Sequence, residues 1–558
     1  MTPAGSRIGA GSARRVGGRT RLIVVLASVA ILAAACGSDT KTTTGSSSGS
    51  GVSGGVFRIP IGEPKAIDPF NARDSEGLDI SRSVFVGLVT FDGNAELKML
   101  PGVAETWAPN DACTEWTFHL RDSKFSNGEP VDAASFIRGW TRSADAKSAS
   151  QVSYHLAGID GYDALHGDPQ TATTFSGLSA PDPKTLVVRL NSADCEFDRK
   201  TLVAPMSPVP EGAGAADNQV FNEAPIGNGP FMIKPGTKWE HNQSITLVRN
   251  DTYFGPKPHL DEIDFIIFPA QGRLEAEYRA FTAGDADFAR IPPTLFRQAK
   301  STYEPQGSFF KYEAFGINYL VTNDAKGVMT NPDARRAVSL ALDRDAIAEG
   351  VYQGSLTTAS AILSPPFGAF FQEGVCDVCT YDVTKAKDLA GKAGLTPGTH
   401  IKLLYNNDGG HEAFVQAVQN QLQTNLGVVV DLDGVPFAES LAKQDAGDFD
   451  LARSAWTADY PTPDAVLYPL LASTSADNTS KYSNPAFDDL ILKARATKDA
   501  GERQALIKQA EKLAIGTDVG DIPMFNRTQY RVFDSKKWTG VALDYTESAT
   551  FATISLKS

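Results

Sequence analysis

A short stretch, residues 451–467, reads LARSAWTADYPTPDAVL and carries the residue types best suited to a binding site. It begins like a buried strand and then breaks into a carboxylate, Asp459, which lies between Trp456 and Tyr460. The prolines that follow restrict the backbone, because the proline ring fixes φ. A carboxylate that leaves the core on a stiffened loop indicates a ligand contact. The alternative is that Asp459 only caps the next turn.

The elements around this stretch predict where the carboxylate lies. From residue 401 the pattern is β-α-β-α-β, with strands at IKLLYN, VVVDL and FDLARSAW and helices at 411–426 and 437–446. Right-handed crossovers make these three strands parallel. In open parallel sheets, ligands bind at the carboxyl ends of the strands. His411 ends the loop after the first strand and Asp459 lies beyond the third, so both are expected at one sheet edge.

The rest of the chain predicts an α/β protein of two to four domains. The 558 residues are 42% hydrophobic and 21% charged, which is enough apolar material for large cores. The N-terminal half is rich in strands such as EWTFHLR, where alternate residues face one side. Asp132 is the predicted N-cap of a helix, and Gly284 the predicted end of another. The segment NPDARRAVSLALDRDAI, 331–347, is predicted to be one helix.

No combination of residues predicts catalysis. His411 and Glu412 begin like a zinc-protease helix, but HEAFV lacks the second histidine four residues on. The chain has no Gly-x-Ser-x-Gly motif and no phosphate loop, and its seven histidines lack metal-ligand spacing. We therefore expect no enzyme, no metal and no cofactor. The formal net charge of −14 argues against nucleic acid and anionic lipid as partners.

The N-terminus has the pattern of an export signal. An arginine-rich region precedes the apolar run LIVVLASVAILAAAC, which is short for a membrane span. Its end resembles a bacterial lipobox, in which Cys36 would be acylated after removal of 1–35. Residues 36–55 then form a Gly/Ser/Thr linker. The alternative is a plain signal peptide that is cut elsewhere. No later run predicts a membrane span.

The remaining four cysteines suggest disulfides in an oxidising compartment. Cys113 precedes one predicted strand and Cys195 follows another, so a bridge would join two strand ends. Cys376 and Cys379 form CDVC, for which a local disulfide is expected. Metal binding or redox chemistry are the alternatives for this pair.

Several segments, in order along the chain, carry a resemblance to a known family: IDPF, PGVAETW, GNGPFMI, LVRNDTYF, LLYNNDGGH, FDLARSAWTADYPTPDAVL and KYSNPAFDDLI. From about residue 54 to 555 the chain resembles the peptide/nickel class of extracytoplasmic solute-binding proteins of ABC importers, and within it the oligopeptide-binding branch. The resemblance implies a periplasmic-binding-protein-like, two-lobed α/β clamshell with an additional inserted domain.

The resemblance also implies domain boundaries. Lobe 1 would combine 54–85, 209–313 and 531–558; the inserted domain would be 86–208; lobe 2 would be 314–530. Crossings near 314 and 530 would form a hinge, about which the lobes close on a ligand.

The same resemblance assigns roles to residues. Asp459 would bind the N-terminal ammonium of a peptide, since an enclosed charge needs a fixed countercharge. Arg453 and His411 would meet the C-terminal carboxylate. The remaining predicted ligand contacts are the aromatic residues Trp456, Tyr460 and Phe437. For Arg453 the alternative is a surface ion pair, and for His411 a helix start without ligand contact.

The chain departs from the family pattern at three positions. Arg73 stands where a relative has a glutamate that helps to hold the ammonium, Arg279 where one has asparagine, and Gln444 where one has arginine. These changes leave the length and type of the ligand open.

Three functions are consistent with the sequence. The first is a lipid-anchored, monomeric receptor that captures peptides and delivers them to ABC permease subunits. The second is the same clamshell with a non-peptide cargo such as a metal chelate, haem, a sugar or an opine. The third is a surface protein for signalling or adhesion that serves no transporter.

Overall fold

The computed structural model describes residues 51–93 and 96–558, and Gly51–Ser558 form one compact unit. The predicted signal peptide, Cys36 and most of the linker lie outside the described residues. Within those residues no helix is both long and apolar enough to cross a membrane.

The largest sheet has seven strands and contains the predicted β-α-β-α-β run. In spatial order the strands are Phe288–Arg290, Asp521–Phe533, Phe309–Thr322, Leu451–Thr457, His400–Asn406 and Val429–Val435, with Thr357–Thr358 paired beside Asp521–Phe533. Strand His400–Asn406 pairs in parallel with both Val429–Val435 and Leu451–Thr457. The predicted parallel arrangement is therefore confirmed, and the loops after 406 and 457 leave the sheet at one edge.

The helices that connect these strands begin and end close to their predicted limits. The α-helices within the described residues are Ser75–Val84, Ala133–Ala144, Tyr162–His166, Phe197–Lys200, Gln219–Glu223, Arg273–Ala283, Phe296–Tyr303, Pro332–Leu340, Arg344–Tyr352, Val383–Ala393, Glu412–Leu426, Phe437–Asp445, Asp464–Leu471, Pro485–Arg495 and Ala500–Glu511. Asp132 caps its helix as predicted, because its side chain accepts a hydrogen bond from the backbone of Ser135. Gly284 ends its helix in the left-handed conformation.

The prediction of one helix over 331–347 is wrong. The chain forms Pro332–Leu340 and then starts again at Arg344–Tyr352. Asp343 separates them, since its side chain caps the second helix at Ala346 and its backbone N–H donates to Gln421 Oε1 at 2.7 Å. An aspartate in a helix interior competes with the helical hydrogen bonds and so favours such a cap.

Two four-stranded sheets lie in the N-terminal half. The first runs in the order Val56–Ile61, Glu262–Ile267, Ser244–Arg249 and Phe231–Ile233. The second is antiparallel, in the order Ala104–Pro109, Glu115–Leu120, Thr185–Arg189 and Leu178–Asp182. Two short ribbons complete the strands: Val89–Thr90 with Leu100–Pro101, and Trp538–Thr539 with Ser555–Leu556.

Each of the three sheets has its own apolar core. The first core surrounds the sheet that contains Val56–Ile61 and also includes Trp538 and Phe551. The second core surrounds Glu115–Leu120 and includes Phe136 and Trp140. The third core, the largest, surrounds the seven-stranded sheet. Separate cores of this kind are what distinct domains require.

Two long strands, Phe309–Thr322 and Asp521–Phe533, pair antiparallel along most of their length. Their register shifts between Glu313 and Ile317, so the ladder is irregular there. Gly316 lies inside this irregularity, and a Cβ atom at this position would be 2.5 Å from the carbonyl oxygen of Trp456.

Both disulfides that the cysteines suggest are present. Cys113 is bonded to Cys195 and Cys376 to Cys379. Within the described residues no group of His, Cys, Asp and Glu side chains could hold a metal ion.

Candidate functional site

Asp459 lies two residues beyond strand Leu451–Thr457, on the loop that leads into helix Asp464–Leu471. Its carboxylate forms no hydrogen bond and no ion pair with any residue that the structure describes. The helix that follows has Pro463 at its N-cap and no side-chain cap. Asp459 therefore does not serve as a local cap, and its charge remains available to a partner from outside the fold.

Two adjoining cavities share Asp459. The larger, of about 320 Å³, is lined by residues of 154–200 on one side and of 456–495 on the other. The smaller, of about 230 Å³, brings Asp459 together with Arg73 and Arg82. Tyr154 and His155 line both cavities. The carboxylate thus lies where segments of the second and third cores face each other.

Burial raises the pKa of Asp459 to about 6. The positive charge of Arg82 opposes this shift, and the negative charge of Asp477 adds to it. Arg82 forms no ion pair with Asp459, and its Nε and Nη1 atoms are buried without a hydrogen-bond partner. A buried carboxylate with a raised pKa is stabilised by a cation that enters the cavity.

Arg453 has no carboxylate partner among the residues that the structure describes. It lies in strand Leu451–Thr457 opposite Leu320, and its Nη2 atom contacts Asn318 Oδ1 at 3.4 Å, a long hydrogen bond. No described residue forms an ion pair with it, so the surface-ion-pair alternative finds no support. Burial lowers the pKa of Arg453 to about 10, and the charge of Arg527 contributes to the same direction.

His411 immediately precedes helix Glu412–Leu426, and its side chain makes no capping hydrogen bond. Burial, together with the positive charge of Arg453, lowers the pKa of His411 to about 4. The imidazole is therefore neutral at pH 7. The positive charge of Arg453 disfavours the charged form of His411. A ligand carboxylate that contacts both side chains would stabilise the positively charged form of each.

The three predicted aromatic contacts differ in position. Trp456 lines the larger cavity, and its Nε1 donates to the carbonyl of Ala465 at 2.7 Å, which fixes the ring. Tyr460 lines the same cavity and packs against both the second and the third core. Phe437 begins helix Phe437–Asp445 with its side chain 55% exposed, and its backbone N–H donates to Asp408 Oδ2.

Of the three departures from the family pattern, one lies beside Asp459. Arg73 is exposed and lines the smaller cavity. Arg279 is exposed on helix Arg273–Ala283. Gln444 is buried and bonds to Ser440 and Thr479.

Several residues at the site were missed by the sequence reasoning. Tyr154, His155, Arg82 and Asp477 all line one or both cavities. They come from irregular segments or from a helix far away in the sequence, where neither periodicity nor spacing gives a signal.

Polar contacts close the space beside the cavity. Thr462 Oγ1 donates to Glu196 Oε2 at 2.8 Å, and Arg503 forms an ion pair with the same carboxylate at 3.2 Å. The backbone N–H of Cys195 donates to the carbonyl of Arg495 at 2.7 Å. The segment that the Cys113–Cys195 disulfide anchors is thus joined directly to the loop after Asp459.

Separate cores, two long strands that pack against both the first and the third core, and a charged cavity between facing segments define a two-lobed binding protein for a small solute. The family model for bacterial extracellular solute-binding proteins, family 5, matches residues 98–478. The chain belongs to this family.

The relatives of the chain agree with that class. The periplasmic oligopeptide-binding protein OppA of Escherichia coli (strain K12) is 31% identical over 86% of this chain and 88% of its own length. The oligopeptide-binding protein OppA of Bacillus subtilis (strain 168) is 29% identical over 81% and 84%. The solved structure of the Escherichia coli murein tripeptide-binding protein MppA superposes with a TM-score of 0.73 at 26% identity, covering 90% of this chain and 98% of that one. The predicted α/β clamshell is confirmed.

Proposed function

We propose that the protein captures oligopeptides between two closing lobes and delivers them to the permease of an ABC importer. It acts as a monomeric receptor and does not alter its cargo chemically. The observation that carries the proposal is the pair of uncompensated charges, Asp459 and Arg453. A free peptide brings an ammonium and a carboxylate, and each would neutralise one of these two groups.

The distance between the two charges supports a short peptide. Arg453 and Asp459 are six residues apart, so their α-carbons are separated by at most about 20 Å, at roughly 3.3 Å per extended residue. An extended peptide covers about 3.3–3.6 Å per residue, so a ligand of a few residues fits between them.

The proposed domain boundaries remain those of the sequence: 54–85 with 209–313 and 531–558 for lobe 1, 86–208 for the inserted domain and 314–530 for lobe 2. The three separate cores support this division. The irregular pairing near Gly316 supports a hinge where the long strands pass between lobes. Closure about this hinge would enclose a peptide at Asp459.

Export and anchoring complete the proposal. Residues 1–35 would direct export, and lipidation of Cys36 would hold the protein at the outer face of the cell membrane. The names of the relatives support an extracytoplasmic location. Metabolic labelling with palmitate tests the anchor: labelling of the wild-type protein and its loss in Cys36→Ala are expected, whereas an unlabelled wild-type protein would contradict it.

Ligand titration followed by tryptophan fluorescence tests the function. Trp456 lines the cavity, so its emission should change when a ligand enters. The protein is unfolded and refolded to remove bound ligand and is then titrated with mixed peptides of two to five residues. We expect saturation by the free peptides and none by the same pool after N-acetylation. Absence of binding to either pool would refute peptide capture and favour a non-peptide cargo.

A further inference from the structure

The cavity of about 320 Å³ contains a second carboxylate beside Asp459. Asp477 lines the same cavity, and its negative charge acts on both Asp459 and Tyr154. The Asp477 carboxylate makes no hydrogen bond and no ion pair within the described residues. A single peptide ammonium would compensate only one of these two acids.

The cations that line this cavity are already paired. Lys200 lies 2.5 Å from Asp194 and 3.7 Å from Asp464. Arg495 binds Asp464 through two hydrogen bonds of 2.7 and 2.9 Å. Burial lowers the pKa of His155 to about 3, so this side chain is neutral at pH 7. The cavity therefore retains an excess of two negative charges before a ligand enters.

The walls of the cavity suit a long cationic side chain. Tyr154 is 52% exposed, and Trp456 and Tyr468 also line the space. Arg495 covers the ring of Tyr468 at 3.7 Å, which leaves Tyr154 and Trp456 for a ligand. The methylene stem of lysine or arginine packs on aromatic faces, while its charged end reaches a carboxylate.

The other side of Asp459 has the opposite charge. Arg73 and Arg82 line the smaller cavity, where a cationic side chain would be repelled. A peptide whose ammonium binds Asp459 would thus direct a basic first side chain away from these arginines and toward Asp477.

We propose that the larger cavity selects peptides whose first residue is lysine or arginine, with Asp477 as the residue that determines this preference. The inference rests on the proposed function, because it assumes that Asp459 binds the peptide ammonium. It adds the chemical class of the preferred ligand: a peptide with two positive charges at its amino end.

Calorimetric titration with four tripeptides tests this inference. Lys-Ala-Ala is compared with norleucine-Ala-Ala, which has a similar stem without the charge, with Ala-Ala-Lys, which has the same total charge, and with Ala-Ala-Ala. We expect Lys-Ala-Ala to bind about fivefold more tightly than the other three, as partly exposed charge pairs contribute up to about that factor. General attraction to an acidic protein would favour Ala-Ala-Lys equally.

The Asp477→Asn variant should lose the preference, so that it binds Lys-Ala-Ala and norleucine-Ala-Ala with equal affinity. Asp489→Asn is the matched control, since Asp489 is exposed in the same half of the chain and does not line the cavity. Equal binding of all four peptides by the wild-type protein, or a preference that survives in Asp477→Asn, would overturn the inference and leave peptide capture intact. Failure of all four to bind would overturn both.

Discussion

Peptide affinity is expected to fall when the pH drops below about 6, because the pKa of Asp459 is about 6 in the empty cleft. A peptide ammonium binds the ionised carboxylate, so the complex holds this pKa well below its value in the empty protein. The ionised fraction is about 0.9 at pH 7 and about 0.1 at pH 5. The apparent affinity should therefore be about tenfold lower at pH 5 than at pH 7.

The sign follows from proton linkage. Below pH 6 most of the empty protein carries a proton on Asp459 that the complex must release, so affinity is close to its full value at pH 7 and is lost as the pH falls through 6. Arg82 and Asp477 act on this carboxylate, and Tyr154, Lys200 and Asp194 line its cavity.

The two histidines near the site titrate below this window. The pKa of His155 is lowered to about 3 and that of His411 to about 4, in both cases mainly by burial. The pKa of Tyr154 is raised by burial. Burial also raises the pKa of the second carboxylate in the cavity, Asp477. The free α-amino group of a peptide loses its proton only near pH 8.

Isothermal titration calorimetry with Ala-Ala-Ala in buffers of different ionisation enthalpy measures both quantities. At pH 6 we expect release of about half a proton per peptide bound. Asp477→Asn removes a negative charge and should shift the midpoint of the pH profile to lower pH. A constant affinity between pH 5 and 7, with no proton released, would refute the role of Asp459.

Three further predictions concern single residues. Asp459→Asn should weaken binding of free-amine peptides at least a hundredfold in calorimetry. The same substitution should raise the free energy of unfolding of the empty protein at pH 7 by about 1 kcal/mol, after allowing for the partial exposure of Asp459. That substitution removes a carboxylate whose pKa folding raises; an empty variant less stable than wild type in urea titration would contradict this. Arg453→Gln should reduce roughly 10- to 150-fold the affinity for peptides with a free carboxylate and leave C-amidated peptides unaffected, as a charged hydrogen-bonded contact contributes roughly 1.5–3 kcal/mol. Equal loss for both forms would indicate a structural role. Gly316→Ala should destabilise the protein by about 1–3 kcal/mol, because its Cβ would lie 2.5 Å from the carbonyl oxygen of Trp456. The control is Gly350→Ala, where no atom lies within 4 Å of the new Cβ. Equal effects of the two substitutions in thermal unfolding would argue against steric conflict at the proposed hinge.

The sequence predicts the third core well, because its signals are local. Strand and helix periods alternate regularly from residue 401, and crossover handedness then determines that the strands are parallel. The placement of Asp459 and His411 at one sheet edge follows from that topology alone. Asp343 shows the limit of the same reasoning, because the apolar spacing continues across it while its capping hydrogen bond ends the helix.

The environment of Asp459 could not be predicted from the sequence. Tyr154 and Arg82 precede it by about 300 residues or more and approach it only after the domains have packed together. Whether Arg453 and Asp477 form ion pairs depends on the positions of neighbouring side chains, which the periodicity of the sequence does not determine. The resemblance to the family implies the proposed roles of Asp459 and Arg453, whereas the second acid in the cavity, Asp477, is visible only in the structure.

A crystal structure of the protein with Ala-Ala-Ala bound tests most directly whether Asp459 binds the peptide ammonium. We predict that the peptide ammonium lies about 2.7–2.9 Å from a carboxylate oxygen of Asp459, the usual distance for a charged hydrogen bond. The peptide carboxylate should lie on the side of Arg453 and His411. A peptide bound with its ammonium away from Asp459, or in the reverse direction, would contradict the proposed role of Asp459.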